Sequence, residues 1–295
     1  MSPLTYHPTP IISLTTPETV QAGVSLLIKR EDLNHPFVSG NKWWKLKYNL
    51  EDALQQKHRT LLTFGGAYSN HIYATAAAAH ELGLRSVGVI RGEETFPLNA
   101  TLSFAKSKGM ELYYVSREAY RKRNEDEFIL SLRSRLGAFY LIPEGGTNSL
   151  AVKGVAALAQ QLKQDTAFDY VCLPVGTGGT MAGLSLALPE KQVVGFAALK
   201  GGHFLFDEVR AFSNQRNYQI ETAFHFGGYG KATQELLWFM RQFSETHHIP
   251  LDPVYTGKAM FGVLEKIKEG FFRRGTTILF LHTGGLQGRA GFQLD

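Results

Sequence analysis

Apolar residues in this chain gather into runs of four or five, and stretches with helical spacing separate these runs almost from end to end. The runs at 24–28, 61–64, 86–90, 111–115, 139–142, 170–174, 193–197 and 277–281 predict buried strands. Between them, 42–56 carries Leu46, Leu50 and Leu54 at four-residue spacing, which places an apolar stripe on one face of a helix. The alanine-rich stretch 70–82 predicts a second helix and stops at Gly83, a C-terminal signal. Helices at 149–163, 180–186 and 231–246 follow by the same logic. Strands alternating with helices predict an α/β fold with doubly wound parallel sheets covered on both faces. No internal repeat, low-complexity segment or linker interrupts the pattern, so any domain division has to be interleaved.

Composition narrows the class. At 295 residues the chain calls for one large domain or two interleaved ones. A formal net charge of +5 raises the question of nucleic acid. The basic residues are scattered among acids, however, and the longest run, Arg121-Lys122-Arg123, is followed by Glu125-Asp126-Glu127, the signature of a solvated helix start. No nucleic-acid partner is expected. A single cysteine, Cys172, excludes an internal disulfide and a cysteine metal cluster, and its apolar neighbours predict a buried strand residue. No apolar run approaches the ~20 residues that span a bilayer. Residues 1–14 contain prolines and lack the basic flank and apolar stretch of a secretory signal. The expectation is a cytoplasmic chain with no membrane partner and no metal.

Glycine marks the loops between strands and helices, where open parallel sheets bind ligands. Ser39-Gly40-Asn41-Lys42 opens the first long helix. A lysine in a first helical turn opposes the helix dipole, and a neutral lysine amine is a covalent catalyst; Lys45 and Lys47 compete for the role. Gly65-Gly66-Ala67-Tyr68-Ser69-Asn70-His71 joins a strand to the alanine-rich helix. Ser69 or Asn70 caps that helix, or the helix-start amides and the Ser69 hydroxyl receive an anion such as a substrate carboxylate. Gly176-Thr177-Gly178-Gly179-Thr180 follows the strand at 170–174. It has the glycine-rich turn that cradles phosphate through backbone N–H groups, but neither the lysine of a P-loop nor a dinucleotide fingerprint. A phosphate outside a nucleotide is favoured. Near the C-terminus, Tyr229 and Tyr255 stand among glycines, as loop aromatics or as pocket walls with proton-transferring hydroxyls.

Together these segments resemble the D-cysteine desulfhydrase and 1-aminocyclopropane-1-carboxylate deaminase family of pyridoxal-phosphate enzymes, of the tryptophan-synthase-β fold type. The likeness runs in order through Thr9-Pro10-Ile11, Lys29-Arg30-Glu31-Asp32, Gly40-Asn41-Lys42, Ser69-Asn70-His71, Gly145-Gly146-Thr147-Asn148, Gly176 to Thr180, Gly228-Tyr229-Gly230, Asp252 to Lys258 and His282 to Gly285. The resemblance implies pyridoxal 5′-phosphate as cofactor, held by Lys42 as a Schiff base, with Lys42 also moving the α-proton. It implies Ser69, Asn70 and His71 at the substrate, Asn70 also on the cofactor's 3′-oxygen, and the loop from Gly176 to Thr180 on its phosphate. Tyr229 and Tyr255 would stand over the substrate. A large domain of 1–46 and 154–295, a small domain of 47–153 and a homodimer follow from the same likeness.

Two positions bear on the reaction. Where the deaminases carry a glutamate that contacts the pyridine nitrogen, this chain has Thr256; where they carry leucine, it has Thr283, as the desulfhydrases do. A hydroxyl leaves the nitrogen neutral, and the shallower electron sink that results suffices to expel thiol. The reading is β-elimination from a small amino acid, D-cysteine first, giving pyruvate, sulfide and ammonia. Its rivals are aminocyclopropane-carboxylate deamination, a silent cofactor-binding protein and a nucleotide-dependent enzyme. Departures from the family lie at Trp44 (arginine), Tyr73-Ala74 (arginine-glutamine), Met181 (histidine) and a shortened stretch at 91–98, and are expected to alter polarity near the pocket.

Overall fold

The computed structural model describes residues 3–292 and Leu294. Among these residues ten strands form two sheets. The larger runs in the order β1 (Ile11–Leu14), β2 (Ser25–Lys29), β10 (Thr277–Leu281), β7 (Tyr170–Val175), β8 (Gln192–Ala197) and β9 (Tyr218–Glu221). All of its pairings are parallel except that of β1 with β2. The smaller sheet is fully parallel, in the order β5 (Met110–Val115), β4 (Arg85–Arg91), β3 (Thr60–Gly65) and β6 (Tyr140–Ile142).

Each apolar run serves two cores because side chains alternate across a sheet. In β10, Ile278 and Phe280 pack with α1 (Pro17–Ala22), α10 (Gln234–His247) and α11 (Thr256–Lys268), while Leu279 and Leu281 face the opposite core. That second core holds α2 (Asn41–Gln55), α7 (Ser149–Asp165), α8 (Gly179–Ala187) and α9 (Leu205–Arg210), and it reaches the smaller sheet through Leu61 and Ile142. The smaller sheet is covered on one side by α3 (Asn70–Glu81) and α4 (Ala100–Ser107) and on the other by α5 (Arg117–Arg121) and α6 (Asp126–Leu136).

The strands of the smaller sheet all lie within 60–142. The expected division points, 46/47 and 153/154, fall inside α2 and α7, which run on unbroken between the sheets. These helices approach so closely that a Cβ on Gly154 would stand 1.9 Å from the Trp44 carbonyl oxygen. Only glycine permits that crossing.

Every strand foreseen in the sequence is present. The sheet edges β1 and β9 were not foreseen, because four residues are too few to establish a period. On α2 the buried stripe is Leu46 and Leu50; Leu54, in the last turn, is 40% exposed. Cys172 is buried in β7, where desolvation raises its thiol pKa, so it has no nucleophilic role.

Candidate active site

The loops at the carboxyl ends of β3, β4, β6, β7 and β10 line one cavity of about 680 Å³ between the sheets. Its walls include Lys42, Ser69, Asn70, His71, Tyr229, Tyr255, Thr283 and residues 176–180, so segments far apart in sequence converge there.

Lys42 stands in the first turn of α2, where the backbone fixes its position. Gly40, at φ +68°, lies so close to the Thr283 loop that a Cβ would stand 1.9 Å from the Thr283 carbonyl oxygen. The Gly40 N–H donates to the Glu31 carbonyl, and the Asn41 N–H to that of Thr283. The Lys42 ammonium donates to Asn41 Oδ1 at 3.1 Å. Burial pushes its pKa down to about 8, against the opposing charge of Asp252. Near physiological pH Lys42 is therefore neutral far more often than an ordinary lysine, as a nucleophilic amine requires.

Lys45, one turn on, faces the same cavity. It is 1% exposed, and its ammonium donates to Thr147 Oγ1 at 2.8 Å, with Thr177 Oγ1 at 3.5 Å; those two hydroxyls share a hydrogen bond of 2.7 Å. Burial, then the charge of Lys42, pushes its pKa well below the ordinary lysine range. No carboxylate among the described residues lies within ion-pair distance of it. Gly178, at φ +75°, turns the chain into α8, whose N-terminus has no side-chain cap. A Cβ on Gly179 would stand 2.8 Å from Thr147 and 3.2 Å from Lys45 Nζ. An uncapped helix start, a buried lysine without a counter-ion and a cradle that one methyl would fill together make an anion site. Asn41 Nδ2 donates to Thr180 Oγ1 at 2.8 Å and ties this site to Lys42. Lys47, the other competitor, lies against the rings of Trp43, Trp44 and Tyr48 and does not line the cavity.

On the smaller sheet, Ser69 caps α3, its Oγ accepting the Ile72 N–H at 3.3 Å, and it also lines the cavity. Asn70 Oδ1 accepts from Gln287 Nε2. His71 Nε2 lies 2.8 Å from Thr63 Oγ1, whose proton goes to the Ile142 carbonyl at 2.8 Å. The imidazole therefore donates from Nε2, and Nδ1 is left as a lone pair with no partner among the described residues. Burial, then Lys42 and Lys45, pushes the pKa of His71 well below the histidine range, so the ring is neutral.

Tyr229 and Tyr255 meet edge to face, with centroids 6.0 Å apart. Burial raises both pKa values, and for Tyr229 the rise is eased by Tyr255 and then by the charge of Arg91. The Tyr229 loop is unusual: Phe226, Gly227, Gly228 and Gly230 all have positive φ. Lys258, from the first turn of α11 and 1% exposed, donates to the Gly228 carbonyl at 2.7 Å and the Ala198 carbonyl at 3.3 Å, pinning that loop to β8. Thr256 is placed elsewhere than Thr283. It is fully buried, away from the cavity wall; its hydroxyl donates to Asp252 Oδ2 and accepts from the Asp252 N–H, both at 2.8 Å. The Asp252 carboxylate also takes the N–H groups of Val254, Tyr255 and Thr256.

The departures from the family pattern do not all border the cavity. The Trp44 indole is buried in the core and donates to Glu31 at 2.6 Å, and Tyr73 stacks on Phe104 at 3.7 Å. Met181 alone among the four substituted positions lines the cavity. Sequence reasoning named Lys45 only as a competitor of Lys42 and Lys258 only as the end of a motif, with no role for either. The signal for Lys45 was its place three residues after Lys42, on the same helix face.

Pyridoxal phosphate fits this cavity by the chemistry of its walls: a depressed-pKa lysine at one point and an uncapped, lysine-backed glycine loop for phosphate at another. The sequence profile of the family described as pyridoxal-phosphate dependent enzyme matches residues 3–284. A Pyrococcus furiosus protein provisionally named a 1-aminocyclopropane-1-carboxylate deaminase is 32% identical over 287 residues, 90% of this chain and 86% of the relative. An Arabidopsis thaliana protein named bifunctional D-cysteine desulfhydrase/1-aminocyclopropane-1-carboxylate deaminase, mitochondrial, is 32% identical over 314 residues, covering 97% and 78%. The solved structure of an ACC deaminase homologue superposes with a TM-score of 0.83 at 31% identity, covering 99% of this chain and 94% of the other. No helix among the described residues is long and apolar enough to cross a membrane. The chain belongs to the pyridoxal-phosphate-dependent enzymes, in the family of the D-cysteine desulfhydrases and 1-aminocyclopropane-1-carboxylate deaminases.

Proposed function

We propose that this enzyme catalyses β-elimination from a small amino acid, D-cysteine being the first candidate. The observation that carries the reading is the cavity wall at Thr283, behind which Thr256 engages Asp252. Thr283 offers the cavity a neutral hydroxyl, and the carboxylate of Asp252, which bears on Lys42, is occupied by four donors from residues 254–256. Nothing on that wall would hold a proton on a ring nitrogen the way a free glutamate does.

When bound, pyridoxal phosphate withdraws electrons from the substrate α-carbon and makes its proton labile. In this reading Lys42 receives that proton, as an amine with a pKa of about 8 can do at neutral pH. Ser69, Asn70 and the first N–H groups of α3 hold the carboxylate. Thr180, Gly176, Thr177, Gly178 and Gly179, with Lys45, hold the phosphate. Tyr229 or Tyr255 supplies a proton to the departing sulfur, which leaves with the electron pair of the broken C–S bond as the Cα–Cβ double bond forms. Water then releases pyruvate and ammonia, so that cysteine and one water give pyruvate, sulfide and ammonia.

The relatives' names favour a second reading, opening of aminocyclopropane-carboxylate to α-ketobutyrate and ammonia. A panel of both cysteine enantiomers, β-chloroalanine and aminocyclopropane-carboxylate, assayed for sulfide, pyruvate and α-ketobutyrate, separates the two. Sulfide and pyruvate from D-cysteine are expected to dominate. Faster α-ketobutyrate release would overturn the reading.

A further inference from the structure

One end of the cavity carries charge that cofactor and α-carbon do not use. Arg91 is the last residue of β4, and Arg123 follows α5. Their guanidinium groups lie against the same ring, that of Tyr120, at 5.6 and 5.2 Å from its centroid. Both line the cavity, and so does Glu144. The two oxygens of Glu144 are engaged: Oε2 pairs with Arg123 Nε at 2.8 Å, and Oε1 accepts from the Tyr120 hydroxyl at 2.8 Å. Arg91 has no carboxylate within ion-pair distance among the described residues, and its guanidinium borders Gly66, where a Cβ would stand 3.4 Å from Nη2.

Two like charges on one ring repel, and one carboxylate offsets only one of them. The surplus faces the cavity, whose only other lining carboxylate among the described residues is Glu208, on α9. Gly66 begins the loop to Ser69, so Arg91 stands next to the place where the α-carboxylate is held, and its charge also eases the burial cost of an ionised Tyr229. A guanidinium so placed is a bidentate receptor for an oxyanion.

We infer that Arg91, with Arg123 beside it, binds a second anionic group, so that amino acids whose side chain ends in a carboxylate, sulfonate or phosphate bind more tightly than neutral ones such as alanine and serine. This inference rests on the cavity being the amino-acid site of a pyridoxal-phosphate enzyme. The α-carboxylate stays with Ser69 and α3, and the side-chain anion takes Arg91. Glu144 keeps Arg123 in place and sets the limit on how much negative charge the wall accepts.

The test is binding to the holoenzyme, read from the change in the cofactor's visible spectrum rather than from turnover. Probes are alanine and serine as neutral amino acids, and aspartate, cysteic acid and O-phosphoserine as anionic ones, each in both enantiomers. Wild type is expected to bind at least one anionic probe about tenfold more tightly than the neutral probe of the same hand, as one charge-assisted pair allows at a partly exposed site. The three anionic arms identify which oxyanion fits. Arg91→Met should abolish the preference and leave neutral probes within about twofold, and Arg91→Lys should restore part of it. Added salt should shrink it, because Arg91 is exposed. The inference is overturned if wild type shows no anionic preference. It is equally overturned if Arg91→Met weakens all probes alike, for then Arg91 serves the α-carboxylate. Should no amino acid of either kind perturb the bound cofactor, the underlying amino-acid reading fails instead.

Discussion

The two halves of the cavity are built by different means. On the larger sheet, recognition is written in backbone: Gly40 brings main chain onto the Thr283 carbonyl at a distance no side chain permits, Gly176 and Gly179 leave room for Tyr255 and Thr147, and buried lysines stand behind them with hydroxyl or carbonyl partners. On the smaller sheet it is written in side chains at strand and helix ends, the buried Ser69 and His71 and the more exposed Arg91 and Arg123. A cofactor that never changes suits a rigid backbone cradle, whereas a substrate that differs between relatives suits replaceable side chains. Changes on the first half should therefore act on cofactor binding, and changes on the second on substrate.

The largest effect is expected at Lys42. Lys42→Ala should lower turnover by more than about a thousandfold while the fold is kept, since the side chain makes one hydrogen bond, to Asn41. In wild type, capture of cofactor by the apoenzyme should accelerate as pH rises through about 8, where Lys42 loses its proton. A midpoint near that of a free lysine would mean the amine is not desolvated.

Gly179→Val comes next. Its side chain would collide with Thr147 and Lys45 and fill the anion cradle, so cofactor affinity, titrated by absorbance, should fall about 100-fold, ~3 kcal/mol. Thr177→Ala should be milder. Lys45→Met should cost about 2 kcal/mol of cofactor affinity, the worth of one buried charged hydrogen bond, with Lys42 still able to take up cofactor. Unchanged affinity in either variant would place the phosphate away from α8.

The smallest effect sharpens the contrast most. Lys258 belongs to the larger half yet positions the loop of Tyr229, a residue of the cavity wall. Lys258→Met should speed amide exchange across 226–231 and raise KM about fivefold, ~1 kcal/mol, with cofactor affinity unaltered. Lys258→Gln, which keeps N–H donors, should recover most of it. Equal exchange in wild type and the Met variant would leave Lys258 without a role at that loop.

The first half was legible in sequence because its signals are contiguous: strand, glycines, hydroxyls, helix. So was Lys42, from its place against the helix dipole. The rest depends on meetings across the chain. Lys45 acquires meaning only through Thr147 and Thr177, over a hundred residues away. Thr256 looked like a pocket residue because Tyr255 beside it is one, but α11 starts there and turns its hydroxyl back onto Asp252. Trp44 was read as a change in the pocket; its indole instead meets the wholly buried Glu31, which gathers donors from Tyr6, Thr9 and Asn34 as well. Periodicity shows which residues are inside, not which of the several buried faces they join.

Two neutral-prone lysines, Lys42 and Lys45, share the cavity, and the division of labour between them is the centre of this picture. Borohydride reduction of the holoenzyme, followed by proteolysis and mass spectrometry of the cofactor-bearing peptide, tests it directly. Label confined to Lys42 is expected, with Lys45 unmodified behind the 176–180 loop. Label on Lys45 or Lys258 would contradict the assignment and exchange the roles of the two ends of the cavity.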